Sequence, residues 1–225
     1  MAYKLNVDAL LAHVPIFVGL DASRRAPMAQ TCRELHVAKH RFAFRRGDAA
    51  GGLYVVAAGH IKLSIPSPGG NEKVLDFFGP GQAFGESGMF LDRPYMVDAQ
   101  ALEDSLLVCI DRQDIYAALE QNPSFSRYML MNLARRMDSL VQDIEAVNLQ
   151  SAAQRLACYL LRQPREGNCT RFPFSKSVVA SKLGLSPETL SRLLHQLSSA
   201  GLISVRGRAV TIHQLEALRL QQFVN

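Results

Sequence analysis

Leu190, Leu193, Leu194 and Leu197 fall at i, i+3, i+4 and i+7, so the stretch from 187 onward must be a helix with one apolar stripe turned to a core. Its start is fixed as tightly. Gly184 supplies a turn, Ser186 accepts from the free N–H groups of the first helical turn, and Pro187 gives up an N–H that would be an orphan there anyway. Glu188, Ser191, Arg192 and His195 repeat the leucine spacing on the opposite side. An acid, a hydroxyl, a guanidinium and an imidazole thus face outward together.

Taken alone, a polar outer face is what any solvated helix shows. The neighbouring segments change the reading. In FPFSKSVVASKLG, Ser175 is placed as an N-cap with Phe174 and Val179 as a hydrophobic staple, which predicts a first helix over about 176 to 183. Three residues then join two helices. Downstream, GLISVRGRAVTI alternates around Arg206-Gly207-Arg208 like a small hairpin. Two short helices followed by a hairpin read as a winged helix-turn-helix, whose second helix enters the major groove with its N-terminal residues at the base edges.

The side chains suit that task. Arginine donates twice to guanine, glutamate accepts from the cytosine amine and serine is permissive, so Glu188, Ser191 and Arg192 are the expected base readers. Lys176, Thr189, Arg206 and Arg208 suit phosphates, and Ser186 lies at the same helix end. His195, one turn further along, is expected to reach backbone or solvent. Charge agrees with this division: of the net charge of +5, all of the excess lies from Arg171 onward, where seven Lys/Arg face two acids. That is as expected if this part alone meets a polyanion, here double-stranded DNA on the reading of its helices.

With 225 residues, 48% of them hydrophobic and 20% charged, the chain is long enough for one or two cores. No uncharged apolar run approaches a membrane span and MAYKLNVDALLAHVPIF lacks a signal-peptide layout, so the expected place is the cytoplasm, with no membrane partner. Cys32, Cys109, Cys158 and Cys169 show no metal-ligand spacing and are expected as reduced thiols, with Cys109 and Cys158 in cores and no iron-sulfur cluster.

The first half reads differently. After short helices over about 5 to 12 and 21 to 31, residues 35 to 110 alternate in short runs broken by glycine. Leu53 and Val55, then Ile61, Leu63 and Ile65, with turns at Gly47-Asp48, Gly59, Pro68-Gly69-Gly70 and Gly79-Pro80-Gly81, predict antiparallel strands closed as a roll.

Gly47-Asp48, Leu53-Tyr54-Val55-Val56, Gly59 and FGESGMFLDRPY together resemble the cyclic-nucleotide-binding roll of the CRP/FNR transcription regulators, and the resemblance runs over nearly the whole chain. ETLSR resembles the FNR-type recognition helix, which implies that Glu188, Ser191 and Arg192 read a TTGAT half-site. The implied fold is α+β: a cyclic-nucleotide-binding-like β-roll over 1–122, a dimerisation helix over 123–149 and a winged helix-turn-helix over 150–225. RNA polymerase is the implied protein partner.

Leu130, Leu133, Met137, Leu140, Ile144 and Val147 are spaced alternately by three and four residues, a heptad seam for a two-helix homodimer. Such a dimer would read an inverted repeat, its halves about one DNA turn apart.

The resemblance implies an effector pocket at Gly85, Glu86, Ser87, Arg93 and Leu140. It departs from the nucleotide-binding pattern: Arg93 is followed by Pro94, and Leu140-Val141 stand where a Thr-Ser pair reads the purine. Glu86 and Arg93 are read either as part of that pocket or as a structural ion pair. No cysteine precedes Cys32, so the iron-sulfur sensor of the FNR branch is not expected. FLDRPYMVDAQA and SPETLSRLLHQL, including His195, resemble the DNR/NNR-like branch, which implies nitric oxide as the signal, through haem. Its candidate ligands are His13, His36, His40, His60 and the methionines, none of them in a motif, and no metal ligand is assigned. Neither a P-loop, a GxGxxG nor a Ser-His-Asp order occurs, which speaks against an enzyme.

Overall fold

Asn6 and Asp21 set where the chain first becomes helical, each accepting with its side chain from a backbone N–H of the following turn, at 3.0 and 3.1 Å. In the computed structural model, which describes residues 5–67 and 72–220, α1 is Val7–His13 and α2 is Ala22–Thr31, with a 3-10 turn at Pro15–Phe17 between them. Arg25 of α2 donates to Asp8 of α1 at 2.8 Å.

Strands follow in chain order: β1 (Arg33–Val37), β2 (Phe42–Phe44), β3 (Gly52–Ala58), β4 (Ile61–Pro66), β5 (Glu72–Phe78) and β6 (Ala83–Phe84). After α3 (Glu86–Phe90) come β7 (Asp98–Ala101) and β8 (Ser105–Asp111). They form two antiparallel sheets, ordered β1-β8-β3-β6 and β2-β7-β4-β5. β3 is covered on both sides, which explains its unbroken apolar run: Leu53 and Val55 pack with Leu11, Phe17 and Phe125, while Val56 packs with Ile61, Phe78 and Phe84 between the sheets. Ile65, expected to be inward, is exposed near the end of β4. The turn expected at Pro68-Gly69-Gly70 lies outside the described residues. Gly59 has no substitute: φ is 81°, and a Cβ there would lie 2.3 Å from Ser105 Oγ.

The chain continues through α4 (Arg112–Gln121), α5 (Pro123–Leu149) and α6 (Ala152–Arg162). The remaining elements are the hairpin β9 (Arg165–Glu166) and β10 (Cys169–Arg171), α7 (Lys176–Leu183), α8 (Pro187–Ser199), the hairpin β11 (Ile203–Arg206) and β12 (Ala209–Ile212), and α9 (Leu215–Leu220). Two compact units divide at Met137 and Asp138, inside α5. The first holds the roll and its helices. The second has its own core, in which Leu156, Leu160, Phe172, Val179, Leu190, Leu194 and Val210 are buried. The α+β architecture expected from the sequence is the one observed: a roll, a long helix and a winged helix-turn-helix. No described helix is long and apolar enough to cross a membrane.

All four cysteines are free thiols. Cys109 is buried as expected, but Cys158 is only half-buried, because α6 turns Leu156 and Leu160 rather than Cys158 to the core.

Candidate DNA interface and sensor site

The helix-turn-helix follows the sequence reading residue by residue. Ser175 caps α7, accepting from Val178 N at 3.4 Å, and buried Phe174 precedes the cap. Gly184 closes α7 at φ 67°, the left-handed turn that lets the chain reverse into α8. Ser186 caps α8: it accepts from Thr189 N at 3.1 Å and donates to Thr189 Oγ1 at 3.1 Å. Leu190, Leu193, Leu194 and Leu197 are buried, while Glu188, Ser191, Arg192 and His195 are all exposed. The two faces of this helix are therefore realised as separate surfaces, one packed and one free to touch a ligand.

Backbone and cap also tune Glu188. Its own backbone N–H and the Ser186 hydroxyl hold its carboxyl below the ordinary glutamate value, keeping it ionised and accepting only. Ser186 and Thr189 are engaged with each other, so their first role is the cap. Lys176 stands half-buried at the start of α7. In the wing, Arg206 is exposed, whereas Arg208 donates from Nη1 to Pro173 O at 3.0 Å. The structure thus gives Arg208 a task within the domain that the sequence did not indicate. It also adds β9 and β10, which extend the wing to four strands in the order β11-β12-β10-β9. The signal for that hairpin was Gly167-Asn168 between two short polar strands, a two-residue turn pattern.

The sensor site is assembled otherwise than expected. Gly85 takes φ 96°, and a Cβ there would press on Tyr54 at 3.0 Å and Gly52 O at 3.3 Å. This sharp turn starts α3 and leaves the Glu86 side chain only 9% exposed. Glu86 does not pair with Arg93. Its Oε1 accepts from Nη1 of Arg136 on α5, a residue that sequence reasoning passed over. Asp76 of β5 stands 3.9 Å from the same guanidinium, which lies 4.5 Å from the centroid of the Phe78 ring. Glu86 Oε2 is buried without a hydrogen-bond partner among the described residues. Arg93 is exposed, as are Ser87, Leu140 and Val141. The Arg93 backbone N–H closes the end of α3 on Gly88 O at 3.2 Å, and Pro94 follows at once.

The candidate haem ligands are scattered. His13, His36 and His40 are exposed, and His60 is engaged by Glu103. Met28, Met89 and Met129 are buried in the core beneath α1 and α2, and Met96, Met131 and Met137 are exposed. A haem needs an apolar pocket with a strong ligand aimed into it, and these residues do not fit one. Along α5, Leu130, Met137, Leu140, Ile144 and Val147 are 47–68% exposed, an apolar stripe that asks for a partner. Leu133 departs from it, being half-buried against the core of the first unit.

Residues 34–122 match the family model of the cyclic nucleotide-binding domain, and residues 154–220 that of the Crp-like helix-turn-helix domain. The cyclic AMP receptor protein of Thermus thermophilus is 30% identical over 78% of this chain and 81% of its own. The chain belongs to the CRP/FNR family of transcription regulators. This regulator is therefore a DNA-binding protein, of a family whose members act as dimers. Its fold is similar to FixK2 from Bradyrhizobium japonicum, with a TM-score of 0.76 over 87% of this chain and 99% of that one at 22% identity. It is 28% identical to DNR from Pseudomonas aeruginosa over 98% of this chain and 99% of that one, with a TM-score of 0.52.

Proposed function

We propose that this regulator acts as a homodimer reading a TTGAT-like inverted repeat, with Glu188, Ser191 and Arg192 as base readers and Lys176 and Arg206 on phosphates. The observation that carries the reading is the exposed face of α8, where these three side chains stand clear while the opposite leucines are buried. Arg192 supplies the two donors that guanine requires, and ionised Glu188 supplies an acceptor for the cytosine amine. His195 lies on the same face, one turn further. RNA polymerase is the protein partner that the family resemblance implies, and the cytoplasm the place of action. Selection of bound sequences from random duplex DNA tests the reading. TTGAT-like half-sites in inverted arrangement are expected, and selectivity that survives Arg192→Ala would sink it.

For the signal, we carry two readings. Nitric oxide through haem is supported by the DNR-like motifs and by the likeness to the DNR structure, but because the described histidines and methionines do not fit a haem, no step is derived through it. A cyclic nucleotide is supported by the family model over 34–122 and by Gly85-Glu86-Ser87. Against it stand Arg136, already paired with the Glu86 carboxylate, and the absence of the purine-reading Thr-Ser pair, whose place Leu140-Val141 take. An absorption titration with haem, with and without nitric oxide, beside calorimetry with cAMP separates the two. A saturable Soret band that responds to nitric oxide supports the first, and micromolar cAMP heat the second.

A further inference from the structure

The second unit contains both the C-terminal part of α5 and the whole helix-turn-helix, so the geometry between seam and reading helix is set within it. Two stripes run along this part of α5. Leu140, Ile144 and Val147 are exposed, while Asp143, Ala146 and Gln150, at i, i+3 and i+7, are half-buried. Among the described residues, the buried apolar core of the domain begins with Leu156 of α6, and Ala152 and Ala153 pack against it.

Polar ties run from this part of α5 to the base of the reading helix. Lys182, in the last turn of α7, donates to Asp143 Oδ2 at 2.7 Å. Arg155 of α6 donates from Nε to Leu183 O at 2.9 Å and from Nη1 to Gln150 O at 2.7 Å. One guanidinium thus satisfies carbonyls at the C-terminal ends of both α5 and α7, where helices leave acceptors unpaired and favour a cation. Lys182 and Leu183 immediately precede the Gly184 turn into α8, so both ties act on the base of the reading helix.

We infer that Lys182, Asp143 and Arg155 are positioning residues that set the angle between the dimer seam and α8, and hence the half-site spacing the dimer accepts. The inference rests on the inverted-repeat reading above. It concerns spacing alone, because none of the three residues lies on the reading face. Inserting one base pair turns a half-site by about 35° and moves it by about 3.4 Å, so a small change of angle at the joint is legible as altered spacer preference.

The test measures affinities of the full-length protein for duplexes with unchanged half-sites and spacers altered by one and two base pairs. Wild type, Lys182→Met, Asp143→Asn, Arg155→Lys and the exchange Lys182→Asp with Asp143→Lys are compared, with thermal melting alongside. The preference of wild type for its best spacer over its neighbours is expected to fall roughly two- to fivefold in the single variants, the size of a part-exposed ion pair, with half-site preference unchanged. The exchange is expected to recover it, which a merely structural loss would not do. Arg155→Lys gives an independent arm should a Lys182 variant not fold. Folded single variants with the wild-type spacer ratio would overturn the inference, as would a change of half-site preference. A wild type that prefers no inverted repeat would overturn both this inference and the reading beneath it.

Discussion

Arg136 on the long helix and Glu86 at the start of α3 form an ion pair in which the carboxylate is only 9% and the guanidinium 25% exposed. Fifty residues separate them in sequence, so the pair pins the long helix to the roll. A carboxylate this enclosed is tolerable only with a counter-charge, and here one of its oxygens already lacks a hydrogen bond among the described residues.

Removing the guanidinium should therefore cost more than an ordinary surface pair. Arg136→Ala is expected to lose about 2 to 4 kcal/mol in denaturant unfolding, toward the lower part of the range for a broken buried pair because Arg136 retains some exposure. Adding Glu86→Gln to Arg136→Ala should restore part of the loss, since it removes the stranded charge. A double variant less stable than Arg136→Ala would mean that the pair is incidental.

The reading helix and its turn were legible because every signal for them is local. The caps at Ser175 and Ser186, the left-handed Gly184, Pro187 at the first position and the leucine spacing are all set within a few residues. The Glu86–Arg136 pair was not, since periodicity along a strand or helix says nothing about partners brought together by sheet order. Leu133 shows the same limit. A heptad pattern marks an apolar stripe but not whether a given residue faces a second chain or its own core, and Leu133 packs against its own. The β9 and β10 strands, two and three residues long, are too short for alternation to register.

Salt dependence separates the basic residues of the DNA-binding domain. Each lysine or arginine that neutralises a phosphate contributes about one unit to the slope of log affinity against log salt. Lys176→Ala and Arg206→Ala are expected to flatten the slope by about that amount while keeping sequence preference. Arg208→Ala should in addition lower the melting temperature, because its bond to Pro173 O is lost.

Glu188 gives a pH signature. Its carboxyl is held below the ordinary glutamate value by its own backbone N–H and by Ser186, so the folded protein keeps the charge until the pH falls below the range where an unfolded glutamate protonates. If Glu188 reads a cytosine as proposed, discrimination at that base should be flat between about pH 5.5 and 8, and lost at every pH in Glu188→Gln. A discrimination that faded between about pH 7 and 6 would mean that the Glu188 carboxylate is not the group that discriminates there.

The seam can be broken without disturbing the roll only where the side chain is free of it. Leu133 is half-buried in the first unit, so a charge there would destabilise that unit as well as any dimer, and dissociation could not be told from unfolding. Leu140 and Ile144 are 51% and 62% exposed in the single chain and belong to neither the buried core of the second unit nor the half-buried residues packed against it. Leu140→Glu with Ile144→Glu should therefore leave melting of the separate units nearly unchanged. It should also place like charges across the two-fold axis of a dimer, where apolar knobs would otherwise interlock. The expected outcome is a folded monomer by light scattering that has lost preference for an inverted repeat over a single half-site. A folded double variant that remains dimeric would place the dimer contact elsewhere on the molecule.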